Sequence, residues 1–189
     1  MIPRSPKVSA LIVMAMASLL ACFPAFAQGG RPNDLSELHA GFRGIAWGQS
    51  ITDIQARGIQ FGGFEATGSA INVPVQGGTA MNVNNIPVKM SFTFIDKKYG
   101  GLVIVPTDES KAKELTAFFI QQFGAPVFMD QVGQRNVWQD EKITIIMRET
   151  NKVITFIIMN NGIFRQANLP VEDFVAKGKP LTSPKPGGI

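Results

Sequence analysis

Residues 107–126 read TDESKAKELTAFFIQQFGAP, and residues 136–160 read NVWQDEKITIIMRETNKVITFIIMN. In the first stretch Ala112, Leu115, Phe118, Phe119 and Phe123 recur at helical spacing, while Lys111, Lys113, Glu114, Gln121 and Gln122 lie off that stripe. Thr107 or Asp108 can cap the helix start, and Asp108 and Glu109 suit its positive end. Gly124 fits the position past the last turn, and Pro126 prevents continuation, so the helix is expected to end at Phe123. So many aromatic groups on one stripe require a broad apolar surface, which a sheet supplies. The second stretch provides one: strands Asn136 to Asp140 around Trp138, Ile143 to Glu149, and Val153 to Met159. Asp140-Glu141-Lys142 and Thr150-Asn151-Lys152 are the turns of this meander, and Asn160-Asn161-Gly162 closes it.

Working upstream, Val88, Met90, Phe92 and Phe94 alternate with Lys89, Ser91 and Thr93, the pattern of a strand with one wet face. Asp96 to Gly101 reads as a polar turn, with Leu102 to Val105 returning as the hairpin partner until Pro106. Shorter strands are expected at Ile59 to Phe64, Ala70 to Val75 and Thr79 to Val83. Before them, Ser50 can cap a short helix over Ile51 to Arg57, with Asp53 completing a capping box, Gly58 beyond its end, and Ile51 and Ile54 inward. The order is helix, antiparallel strands, helix, antiparallel strands. That is an α+β fold, with two helix-then-antiparallel-meander units packed as one compact domain over residues 42–177. Residues 28–41 form a leader in which Leu35 to His39 can make one helical turn. Val171 to Lys177 can form a last helical turn, and the Pro/Gly/Lys-rich residues 178–189 have almost nothing to bury and are expected to be a disordered tail.

Residues 1–27 have the composition of an export signal. Arg4 and Lys7 precede the uncharged run Val8 to Phe23, and Ala25-Phe26-Ala27 forms an A-x-A cleavage site. Leu19-Leu20-Ala21-Cys22 also resembles a lipobox, so Cys22 is a candidate for lipidation and outer-membrane tethering. Cleavage after Ala27 leaves a chain without cysteine, which removes disulfides and thiol chemistry. The location expected is periplasmic or secreted, in a Gram-negative-type envelope. The chain carries 18 basic and 14 acidic side chains, a formal +4, which falls to +2 without Arg4 and Lys7. That is no nucleic-acid footprint, because such binding depends on clustered neutralisation of phosphates.

Chemistry-bearing patterns are sparse. His39 is the sole histidine, no G-x-S-x-G elbow follows it, and neither zinc nor calcium ligand spacing occurs, so no catalytic residue, metal or other cofactor is expected. The acid pairs Asp108-Glu109, Asp140-Glu141 and Glu172-Asp173 fall at helix starts or turns. Gly62-Gly63, Gly77-Gly78 and Gly100-Gly101 read as turns rather than phosphate cradles. Arg43, Arg148 and Arg165 could bind an anion only by converging.

The strand Val153 to Met159 is apolar on both faces, with Ile154, Phe156 and Ile158 on one and Val153, Ile157 and Met159 on the other. Ile146 similarly interrupts the polar face of its own strand. Either these strands are covered on both sides, or one face is an interaction surface built from Ile146, Val153, Phe156, Ile157, Ile158 and Met159. Trp47 and Trp138 are candidate stacking platforms for a ligand, or else core residues.

Phe42-Arg43-Gly44-Ile45-Ala46-Trp47-Gly48-Gln49-Ser50 resembles the opening of many small exported bacterial proteins of unknown function, in which F-x-G-I-x-W-G-x-S begins the mature domain. The phrase Gln122 to Pro126, the tryptophan strand and a final hairpin extend the resemblance over residues 42–159. More loosely, the helix-then-meander units are similar to those of outer-membrane assembly lipoproteins and the β-lactamase-inhibitor protein, which bind other proteins. The resemblance implies a fold and no catalytic residue. The function expected is therefore non-catalytic binding of another envelope protein or a small ligand. The alternatives are an enzyme with a carboxylate-based site and a lipoprotein tethered through Cys22.

Overall fold

Four pairs of adjacent residues with positive φ set the strand connections: Arg43-Gly44, Asn84-Asn85, Asp96-Lys97 and Asn151-Lys152. Two central residues of that kind form a hairpin turn whose twist matches the strands it joins. In the computed structural model, which describes residues 33–63, 65–67, 70–76, 82–130, 135–169 and 171, all four pairs sit between antiparallel partners. The export signal, Cys22, the tail and all but the first residue of the expected turn Val171 to Lys177 lie outside the described residues.

The first unit contains a small hairpin of β1 (Gly41–Phe42) and β2 (Ile45–Ala46), the helix α1 (Ile51–Gln55), and the strands β3 (Gln60–Phe61), β4 (Glu65–Thr67), β5 (Ala70–Gln76), β6 (Asn82–Val83), β7 (Ile86–Ile95) and β8 (Lys98–Pro106). The second contains α2 (Glu109–Phe123), β9 (Phe128–Asp130), β10 (Arg135–Gln139), β11 (Ile143–Thr150), β12 (Val153–Asn160) and α3 (Asn161–Gln166). Ten strands form one antiparallel sheet in the order β3-β5-β7-β8-β12-β11-β10-β9, with β4 also on β5 and β6 on β7. The two units meet where their last long strands pair, Phe156 opposite Ile104 and Ile158 opposite Leu102. Two helix-then-meander units in one α+β domain are thus what the chain forms.

Local chemistry explains the helices. Ser50 and Asp53 make a reciprocal capping box at α1, which ends at Gln55, two residues earlier than Arg57. Asp108 caps α2 through the Lys111 amide at 2.9 Å. The buried stripe of α2, Ala112, Leu115, Phe119 and Phe123, packs on β7, β8 and β12. Phe119 carries most of this contact, with its ring 4.5 Å from Phe156 and 6.2 Å from Trp138.

The opposite sheet face has its own core, and it resolves the two-faced strands. Val137, Ile146, Ile157 and Met159 are covered by Phe164 of α3 together with Leu169 and Val171. The sequence reading takes Asn160-Asn161-Gly162 as a closing turn, but Asn160 instead caps α3 by accepting from the Ile163 amide at 3.0 Å. Asn161 is fully buried, accepting from Thr144 Oγ1 at 2.8 Å and donating to the Asp140 carbonyl at 3.0 Å. These bonds fasten α3 to the sheet and satisfy polar groups that would otherwise be costly to bury. Gly100 and Gly101 lie in β8, not in a turn. A Cβ at Gly100 would stand 2.8 Å from Ile163 Cγ2, so the glycine lets α3 approach. The β7 face is wet only as far as Ser91, since Thr93 and Ile95 are buried.

Two further expectations are corrected. β9 was not expected as a strand. The leader is no loose appendage, because Leu35 and Leu38 belong to the α2-side core. Asn33 Nδ2 donates to the Gln139 carbonyl at 2.8 Å, and the Asp34 amide donates to the Phe123 carbonyl at 3.2 Å. The folded domain therefore begins before residue 42.

Candidate functional site

The residues of the opening phrase each have a structural task in the β1–β2 hairpin. Phe42 and Ile45 are buried on the α2 side of the sheet, and Arg43-Gly44 forms the turn. Trp47 stacks on buried Tyr99 with ring centroids 4.7 Å apart, and its Nε1 donates to the Leu38 carbonyl at 2.7 Å. The Gly48 amide donates to the Tyr99 carbonyl at 2.8 Å, and Ser50 starts α1. Two guanidinium groups brace the turn: Arg43 donates to the Asn82 carbonyl, and Arg57 donates to the Gly44 carbonyl at 2.7 Å. Tyr99 has no partner for its hydroxyl among the described residues. Burial pushes its ionisation well above the usual phenol value, so it remains neutral.

A cleft lies on each side of this hairpin. The first, about 310 Å³, is walled by Phe42 and Ile45 of the hairpin, Ile59, Val75 of β5, and Met90 and Phe92 of β7, with Arg43 the one charged lining residue among the described residues. The second, about 390 Å³, runs between the hairpin, the β6–β7 turn and α2, over Phe118, Phe119 and Phe123. Its rim is polar: Glu37, held by Gln122 Nε2 at 2.6 Å, Asn84 and Arg43. Phe42 and Arg43 line both. Sequence reading missed these clefts because their walls come from six separated segments. The one local signal was the unusual density of large and small residues in the opening phrase.

The leader is latched at the far end of α2. His39 Nε2 donates to Asp140 Oδ2 at 2.6 Å, and Asp140 Oδ1 accepts from the Lys142 and Ile143 amides at 2.8 and 2.7 Å. Burial raises the Asp140 pKa, but the bonds from His39 and the two amides outweigh it and hold the carboxyl below its ordinary value of 3.8. A depressed carboxylate stabilises the folded state above its unfolded pKa, and that contribution is lost as pH falls through the lower, folded value. The amides of Leu35 to His39 are thus expected to keep their hydrogen-exchange protection down to about pH 4 and to lose it in more acidic solution. Asp140→Asn should reduce that acid step to the part due to Asp34, whose carboxyl is likewise held low by its bonds from the Ser36 hydroxyl and amide. A protection profile with the same acid step in both proteins would contradict the latch.

The other candidate residues are dispersed or buried. Trp138 is fully buried and donates through Nε1 to the Gly124 carbonyl at 2.8 Å, so it closes the end of α2 rather than offering a stacking platform. Trp47 is half-buried and engaged by Tyr99. Ile146, Phe156, Ile157, Ile158 and Met159 are all buried, which corrects their reading as an interaction surface: α2 and α3 cover the two faces from within. Val153, 50% exposed at the start of β12, is the one residue of that set open to solvent. Arg43 and Arg165 lie on opposite sides of the sheet, and the set does not converge with Arg148, which pairs with Arg135 and Thr155. Asp108-Glu109 and Asp140-Glu141 serve a helix start and a turn, and neither pair lines either cleft; Glu172-Asp173 lies outside the described residues.

An exposed apolar surface does occur, on β9. Val127, Phe128 and Met129 are 57%, 47% and 65% exposed, and Ile120 of α2 is 44% exposed. β9 pairs with β10 on one side only and ends the sheet, leaving its outer edge without a strand among the described residues. At the other end the outer side of β5 is occupied by β3 and β4. Comparison of the chain with protein-family models, with curated proteins and with solved structures finds no match to any of them.

Proposed function

We propose that this chain is a non-catalytic binding protein of the bacterial cell envelope that receives an extended segment of another protein on the outer edge of β9, which has no strand beside it among the described residues. The observation that carries the reading is the run Val127-Phe128-Met129, three consecutive exposed apolar residues that lead into and begin the terminal strand of a ten-stranded sheet. The outer side of an edge strand presents amide and carbonyl groups to a partner backbone, and the flanking side chains add apolar contact and register. Natural sheets usually protect such an edge with charge or proline; here the strand has one acid, Asp130, at its end, and Phe128 and Met129 leave the rest of it apolar.

The test is site-specific photocrosslinking of the full-length protein in its native envelope, with the crosslinker at position 129 and, separately, at exposed Val153. A discrete adduct from position 129 alone, identified by mass spectrometry and reduced at least ~10-fold when Phe128→Lys is added, is the expected result. Phe128→Lys should melt within about 0.5 kcal/mol of the parent, as surface substitutions do. No adduct at position 129, or one that Phe128→Lys leaves at parent level, would refute the reading.

A further inference from the structure

We propose that the smaller cleft beside the β1–β2 hairpin binds an amphipathic monoanion, with an acyl or aryl body among the apolar walls and a carboxylate at Arg43. Binding sites for small molecules are mostly apolar hollows upward of roughly 300 Å³, with a few placed polar groups that set orientation. The cleft of about 310 Å³ fits that description: among the described residues, six apolar side chains and a single charged one line it. Water gains little from such walls, so covering them with a hydrocarbon is favourable.

The charge at the mouth selects the head group. Arg43 lines the cleft and donates to the Asn82 carbonyl, and it brings a permanent positive charge whose guanidinium has more donors than that one bond uses. Arg57 braces the same turn through the Gly44 carbonyl and so holds the segment that carries Arg43. Asp53 partly balances Arg57, but its carboxylate is occupied by the Ser50 hydroxyl and amide. Among the described residues no carboxylate lines this cleft, whereas Glu37 lines the neighbouring one and would repel an anion there. An anionic head with an apolar tail therefore suits the first cleft, and a neutral or cationic amphiphile does not.

The experiment is calorimetric titration of the full-length protein with decanoate, 1-decanol and decyltrimethylammonium, each below its aggregation limit, and with vesicles of anionic phospholipid. Decanoate is expected to bind saturably at one site, at least ~10-fold more tightly than the other two amphiphiles, with no binding to vesicles. Arg43→Gln should weaken decanoate at least ~10-fold and Arg43→Lys much less. Val75→Phe, which fills the cleft and leaves Arg43 in place, should abolish binding, with thermal melts confirming that each variant is folded. The proposal is overturned if decanol binds as well as decanoate, if folded Arg43→Gln or Val75→Phe binds like the parent, if decanoate does not bind, or if vesicles alone bind. Crosslinking at position 129 is independent of all these outcomes, so either reading can fail alone.

Discussion

Phe156→Asp is expected to abolish cooperative folding, not to act as a selective probe of a binding surface. Phe156 has no exposed area, its ring lies 4.5 Å from that of Phe119, and its backbone pairs with Ile104 on one side and Met147 on the other. It sits on the strand that joins the two units of the sheet. Truncation alone, as in Phe156→Ala, should cost about 3–5 kcal/mol through lost transfer energy and the cavity left beside Phe119. A carboxylate at the same place has no hydrogen-bonding partner and adds several kcal/mol more. Since a domain of this kind is stable by about 5–15 kcal/mol in total, the aspartate variant should show no native baseline in urea, and the alanine variant should keep a cooperative transition at a lower midpoint. A cooperative transition for Phe156→Asp near the parent midpoint would mean that β12 is not the central strand described here.

Gly41→Ala should cost less but still be strongly destabilising, although it adds a single methyl group. Gly41 has φ +148°, and a Cβ there would stand 2.0 Å from the Ile45 carbonyl oxygen and 2.8 Å from Ala46 Cα, both backbone atoms of the facing strand. Nothing flexible can yield. The β1–β2 pair must open, and Phe42 and Ile45 then lose part of their burial. Backbone strain of about 1–3 kcal/mol together with part of the roughly 1.5–3 kcal/mol that each buried side chain contributes gives a loss of at least ~3 kcal/mol. That corresponds to a fall of roughly 10 °C in melting temperature. Because Phe42 lines both clefts, decanoate binding should weaken with it. An unchanged melting temperature would show that the hairpin does not hold Gly41 as described.

Most of the architecture was legible because it rests on local rules. The α2 stripe, its Asp108 cap and its stop at Gly124 agree with the observed helix to within a residue or two, and the capping box at Ser50 and Asp53 is present as read. The long strands follow from alternation, and the three-strand meander after α2 from its two turns. What local pattern could not supply was a short element that depends on distant contacts. The helix α3 is only six residues long and exists because Asn161 reaches Thr144 and Asp140 across the sheet and Gly100 leaves room for Ile163. β9 is three residues held by β10, and the leader is ordered through Gln139, Phe123 and Asp140, more than 80 positions away.

The candidate sites divide in the same way. Hydrophobicity marked Ile146, Phe156, Ile157, Ile158 and Met159 as needing cover, and one strand apolar on both faces implied either two covering layers or a partner. That choice is set by whether another part of the chain lies against the second face, and α3 with Leu169 and Val171 does. Exposure at Val127 to Met129 likewise follows from sheet order, since the same residues on an inner strand would be buried. By itself the sequence determined the elements, their caps and turns, and the α+β class, because each depends on residues within one or two turns or strands. The tertiary structure alone decided which apolar residues remain in water and where Arg43 meets Val75 and Met90, because burial and convergence depend on which segments the folded sheet makes neighbours.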